Sequence, residues 1–216
     1  MRPVTVTVGP LAAASANNIA LSQTPLAGPL TLNGALVVGG VAIMDSPRRV
    51  LITASANESA KTITIFGTTS SGVSISETLT GPNIGTATSV LDYATVTRIT
   101  ISANAAGAIT VGTTSIASTP WVRLDEWAFP MVSIQCNVSG TVNYTVQQTL
   151  DDPNDPSFPV SVSAMTWINH SDSNLVGATA SVQGNYGYIP RYARVLLNSG
   201  TGSVTATFIQ SNVASL

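Results

Sequence analysis

The stretch TITIFGTTSSGVSISETL, residues 62–79, decides the fold class. From Thr62 to Thr68 hydroxyl and apolar side chains alternate, which is the period of a strand whose two faces meet different surroundings. Ile63 and Ile65 point inward, and Phe66 is the next candidate for the core. Ser70-Ser71-Gly72 supplies a turn and Val73–Leu79 alternates again, so the pair reads as an antiparallel hairpin.

The same grammar extends outward. Val50–Thr53, Val96–Ile101 and, after an Ala105-Ala106-Gly107 turn, Ile109–Gly112 complete a first block. A second block starts near Thr119-Pro120. Its expected strands are Val132–Val138, Gly140–Gln148, Ser161–Trp167, Ala178–Gly184, Ala193–Asn198 and Ser203–Gln210, with Asn198–Gly202 as a hairpin loop. Ahead of both, Val4–Val8 alternates strictly, which suits a strand rather than the apolar stretch of a secretion signal. Ala12–Gln23 has a weak helical pattern stopped by Pro25 and Pro29, and Leu30–Asn33 runs as a short strand into an Asn33-Gly34 turn. The expected fold is all-β. It comprises an N-terminal extended arm (1–45) and two antiparallel β-sandwich domains of immunoglobulin-like or jelly-roll type (46–116 and 117–216).

Composition narrows the function classes. Only 8% of the 216 residues are charged, against about 25% in an average domain. Lys61 and seven arginines against ten acids leave a net charge of −2, which argues against a nucleic-acid binder. One cysteine, Cys136, excludes a disulfide scaffold. No charge occurs from Pro3 to Met44, yet prolines, asparagines and serines interrupt the segment well short of the ~20 apolar residues a bilayer requires. A free monomer usually keeps a charged surface, so the deficit points to burial against copies of the chain or a partner. The uncharged arm is expected to cross to a neighbouring chain. The basic pair Arg48-Arg49 either meets an acidic partner surface or opens the first strand.

Chemistry is sparse. A Ser-His-Asp triad would need His170, the only histidine, and no Gly-x-Ser-x-Gly elbow accompanies it. Cys136 shares the parity of Ile134 and Val138, which places it inward as a small apolar side chain. Asp151, Asp152 and Asp155 gather oxygens that suit a hard cation, while Pro153 and Pro156 make a rigid turn the simpler reading. Trp121 and Trp127 around Asp125-Glu126 imitate a sugar platform; packing tryptophans, with Arg123 paired to an acid, is the plainer account. No catalytic, cofactor-binding or metal-ligating residue is assigned, and no enzyme activity is expected.

The succession of pieces resembles a family of tailed-bacteriophage virion proteins encoded among head and tail structural genes. The stretches that carry the likeness are ALSQTPLAGPLTLNG (20–34), SPRRVLITASA (46–56), TITIFGTTSSGVSISETLTGPNIGTATS (62–89) and VTRITISANAAGAITVGT (96–113). VSGTVNYTVQQTLDDP (138–153), a Trp-containing strand and RVLLNSGTGSVTATFIQ (194–210) follow. The resemblance implies a capsid decoration or cement protein. Such a protein is made in the host cytoplasm, sits on the capsid exterior and binds the major capsid protein between capsomers. Self-association is expected, with a trimer as the natural closed form; nucleic acid and membrane are not expected partners. The alternative is a tail or head-fibre component that binds host-surface glycan, with Trp121, Trp127, Tyr186, Tyr188 and Tyr192 as the aromatic candidates.

Overall fold

A computed structural model describes residues 3–125 and 131–210. It is nearly all β, with 58% of residues in strands, more than twice the usual share. The strands are β1 (Val4–Val8), β2 (Ser15–Gln23), β3 (Gly28–Pro29), β4 (Val37–Val38), β5 (Val41–Asn57), β6 (Thr62–Thr68), β7 (Ser74–Thr80), β8 (Asn83–Thr88) and β9 (Tyr93–Ile101). They continue with β10 (Ile109–Ser118), β11 (Val122–Arg123), β12 (Val132–Ser139), β13 (Val142–Thr149), β14 (Ile168–Asn169), β15 (Val182–Tyr186), β16 (Tyr192–Gly200) and β17 (Ser203–Gln210). The chain divides into two compact units, one of residues 12–115, the other of residues 1–11 with 116–216.

In the 12–115 unit the strand order runs β10-β5-β9-β6-β7, with β2 on β10, β3 on β9, and β4 and β8 on β5. Alternation sets its core: Ile63 and Ile65 of β6, Ile99 and Ile101 of β9, Ile52 of β5 and Val111 of β10 are buried. Burying each such side chain contributes roughly 1.5–3 kcal/mol before the entropy cost of ordering it. Phe66 departs from the expected inward place. It is half-buried on the opposite face, under the Arg98 guanidinium.

In the other unit two sheets, β1-β17-β12-β15 and β14-β13-β16, contribute to one core. The first supplies Val8, Phe208, Ile134, Cys136 and Tyr186; the second supplies Tyr144, Val146, Val195 and Leu197. Asn198–Gly202 is not a hairpin loop, because β16 and β17 belong to different sheets and the chain crosses between them. The β12–β13 link crosses beside it, with Thr201 and Gly202 donating backbone N–H groups to the Thr141 carbonyl. The crossings approach so closely that a Cβ on Gly202 would lie 2.2 Å from the Ser139 oxygen, and one on Gly9 would lie 2.4 Å from the Gly202 oxygen.

Three further expectations are corrected. Residues 1–45 do not stand apart as an arm. Val4–Val8 pairs in register with Val204–Phe208 of the same chain, and 12–45 cluster with 46–115. Five consecutive β-branched residues fit a pleated ladder well, and an in-chain partner is at hand. Ala12–Gln23 is not helical, since Ser15–Gln23 forms a strand against β10. Ser15, Asn17 and Asn18 compete for backbone hydrogen bonds and weaken a helix, while the loop after the strand reaches back: the Asn33 side chain accepts the Leu21 N–H at 2.9 Å. Ser161–Trp167 is not a strand but a 3-10 turn at Val162–Ala164 in irregular chain. Its flanking donors are taken locally, Val160 N–H by the Asp152 carbonyl and Thr166 N–H by the Asp151 carboxylate.

Candidate functional site

Chemistry-bearing side chains concentrate in the unit of 1–11 and 116–216, on the face of β13 and β16 turned away from the core. Ala193, Val195 and Leu197 point to the core, so Tyr192 and Arg194 point the other way. Register places Arg194 opposite Gln147 and Tyr192 opposite both Thr149 and Arg123. Arg194 Nε donates to Gln147 Oε1 at 3.0 Å, and its guanidinium lies 4.2 Å from the Trp167 ring centroid. Trp121 packs on Trp167 at 5.2 Å and on Tyr192 at 5.9 Å.

Asp152 is the hub of this cluster. One carboxylate oxygen accepts the Asn154 N–H at 2.8 Å and the Tyr192 hydroxyl at 3.1 Å. The other accepts from Arg191 Nε and faces the Arg123 guanidinium at 3.7 Å. Burial alone would raise its pKa, but these hydrogen bonds and Arg191 outweigh that and hold the carboxyl below the usual range. A small open pocket of about 170 Å³ lies alongside, lined by Leu150, Asp152, Asp155, Ile189, Pro190 and Arg191.

The three loop carboxylates do not converge. Asp151 accepts the Thr166 N–H at 2.6 Å, Asp152 is engaged as above, and Asp155 accepts the Ser157 and Phe158 N–H groups at 2.8 and 2.9 Å. Among the described residues no group of three His, Cys, Asp or Glu is placed to hold a metal ion. Among the same residues no helix is long and apolar enough to cross a membrane.

His170 is buried against Tyr186, ring centroids 4.6 Å apart. Its Nδ1 accepts the Asp172 backbone N–H at 3.0 Å, so the neutral ring carries its proton on Nε2. Burial lowers its pKa. The Asp172 carboxylate accepts from Asn174 instead and caps a 3-10 turn, Ser173–Leu175, so no acid orients the imidazole as a triad requires. Cys136 is fully buried, and burial pushes its thiol up to about 11, far from the thiolate a nucleophile needs.

Arg48 and Arg49 do not form a basic patch. Arg48 is buried and donates to the Thr114 and Ala12 carbonyls and to Asp45, while Arg49 faces Asp92 at 3.6 Å. Of the aromatic candidates, Tyr186 and Tyr192 are buried, Trp121 is half-buried and Tyr188 is 45% exposed. Trp127, with Glu126, lies outside the described residues. Trp167 and Arg194 were not singled out from the sequence. Their only signal is the cross-strand pairing of Gln147 with Arg194, which needs the register to be known.

Sixteen charged residues fall within the described chain, and only Asp45, Arg98, Arg123 and Asp125 are exposed. The others close loops or pair internally. The surface is left to Ser, Thr, Asn and scattered large apolar side chains such as Phe158 (83% exposed) and Leu150 (72%). A scan against protein-family models finds no match, and no curated protein matches the chain.

Proposed function

We propose that this chain is a non-enzymatic virion structural protein that decorates a bacteriophage capsid from outside, binding between capsomers as a homo-oligomer, with a trimer as the expected form. Its two units are then two antiparallel sandwiches, of the immunoglobulin-like or jelly-roll kind. The observation that carries the reading is the surface, where four exposed charges among sixteen suit a chain that is covered once assembled. The sequence resemblance supplies the capsid. The mechanism is mass action: a protein that binds only the assembled shell stabilises it by RT ln(1 + [L]/Kd), about 2.7 kcal/mol at a free concentration a hundredfold above Kd.

The deciding measurement is copy number in purified particles, by quantitative mass spectrometry against the major capsid protein. Near-stoichiometric incorporation is the expected result. A handful of copies would move the protein to a tail or fibre, and absence would overturn the structural role. A second reading, host-glycan binding, draws on Trp121, Trp167 and the exposed part of Tyr188. Binding of the purified chain to a glycan array, lost in Trp121→Ala, would favour it.

A further inference from the structure

The unit of 12–115 presents a second surface, on the outer face of β9, β6 and β7. Register arranges this face in rows. Thr100, Thr64 and Thr78 form one row, Arg98, Phe66 and Ser76 the next, and Ile43, Thr95, Thr68 and Ser74 a third. The hydroxyls pair across strands, Thr64 with Thr78 at 2.9 Å and Thr68 with Thr95 at 2.7 Å. In the middle the Arg98 guanidinium lies 4.1 Å from the Phe66 ring centroid.

A break in the ladder creates this centre. Phe66 pairs with Arg98 while Gly67 pairs with Val96, so Thr97 is an extra residue, and its hydroxyl donates to the Phe66 carbonyl at 3.3 Å. Bulges of this kind re-aim side chains. Without the extra residue, Arg98 would share the parity of buried Val96. With it, Val96 and Ile99 both point inward and Arg98 emerges on the Phe66 side.

Arg98 is exposed and makes no ion pair among the described residues. The nearby acids are engaged elsewhere: Asp45, which shares the parity of Ile43 on β5, accepts from Arg48 and from the Ala12 and Ser46 N–H groups, and Glu77, opposite Ile65, turns its carboxylate to the Val90 and Leu91 N–H groups. Phe66 covers one side of the guanidinium and leaves the fork of N–H donors at the edge open. A stacked arginine presented this way suits bidentate capture of a carboxylate. The ring of hydroxyls around it satisfies polar groups of a partner, and Ile43, 52% exposed, adds apolar area. A central arginine and aromatic ringed by neutral contacts is the usual make-up of an interface hot spot.

We infer that this face docks on an acidic site of the partner protein, a carboxylate of the shell subunit engaging Arg98. The inference rests on the shell-binding reading and gives it a location. The test is co-sedimentation of the purified chain with shells that lack it. Arg98→Glu is expected to weaken binding at least about a hundredfold, Arg98→Lys about tenfold, and Ser76→Glu, which places an acid beside Arg98, by a similar factor to Arg98→Glu. Unchanged far-UV circular dichroism and melting temperature establish that the variants fold, as expected of substitutions at exposed positions. Wild-type binding with no loss in Arg98→Glu or Ser76→Glu overturns the docking face alone. No wild-type binding overturns the shell reading and the face with it. A change in solution mass without a change in shell binding overturns it too, because the face would then be a contact between copies.

Discussion

The two units are woven from the same Ser/Thr-rich strands, yet they use charge differently. In the unit of 12–115 each cation faces a different acid or ring: Arg48 faces Asp45, Arg49 Asp92, Lys61 Glu58, and Arg98 the Phe66 ring. Two of these are staples deep in the fold. Arg48 ties the chain at Ala12, Asp45 and Thr114, and the Glu58 carboxylate accepts the Ala106 and Gly107 N–H groups. In the other unit charges cluster around one loop, where Asp152 gathers Arg191 and Arg123, and aromatic rings supply much of the bulk. Tyr144, Tyr186 and Phe208 are fully buried there, whereas among the largest fully buried side chains of the 12–115 unit Tyr93 is the one aromatic, beside Arg48 and isoleucines. Isolated ion pairs inside apolar packing are hard to replace, because removing one partner strands the other. A cluster with several partners loses less when one is altered.

The comparison is broken or sharpened most forcefully at Arg48. Arg48→Met removes the guanidinium that the Ala12 and Thr114 carbonyls accept from and leaves Asp45 with only the Ala12 and Ser46 N–H groups, and is expected to cost about 3–5 kcal/mol. Native-state hydrogen exchange should locate the loss in residues 12–115 and leave 132–138 protected. Equal loss in both units would refute the contrast. Asp152→Asn is expected to cost less, about 1–3 kcal/mol, since the Asn154 and Tyr192 donors keep an acceptor. Because the folded pKa of Asp152 is depressed, its contribution is present above the unfolded value near 3.9 and fades as pH falls through the folded value. Urea titrations below about pH 4 should therefore show a shallower pH dependence in the variant than in the wild type.

A milder contrast concerns His170, the only histidine. Its folded pKa is lowered by burial, so stability is full above the unfolded value near 6.5 and declines as pH falls below it. Between pH 7 and 5 protection factors, taken relative to the intrinsic exchange rate at each pH, should fall around 168–186 and stay constant in 12–115, and His170→Gln should remove the difference. The smallest effect belongs to the hydroxyl rows. Thr64→Val on the outer face of β6 should change stability by about half a kcal/mol or less, as urea unfolding would measure.

Much of the strand inventory was legible because it depends on local alternation. Thr62–Thr68 and Ser203–Gln210 end where their patterns end, and Cys136 lies inward as its parity requires. What escaped depends on distant partners. Asn83–Thr88 has little apolar content and is a strand because β5 pairs with it. Ser15–Gln23 is a strand because β10 is available. Phe66 faces outward by the plain parity of β6, where Ile63 and Ile65 turn inward, and Arg98 joins it only because Thr97 is an extra residue in β9. The site was half legible: Arg123 does meet an acid and Trp121 does pack on a tryptophan, but that tryptophan is Trp167. That Arg191 and Tyr192 close on Asp152 follows from the way β16 crosses the sheet, which no spacing in the chain encodes.

The pairing of Val4–Val8 with Val204–Phe208 also bears on how the protein is made. At about 5–20 residues per second, a ribosome needs on the order of ten to forty seconds to travel from one strand to the other. The unit of 12–115 has all its strands in hand well before then and can fold while synthesis continues. Val4–Val8 cannot. For those seconds it is a bare run of alternating valine and threonine, uncharged and free of proline, the kind of segment that nascent chains use to stick to one another. Yield in the cell should therefore be governed less by the stability of the finished protein than by what shields five residues while they wait.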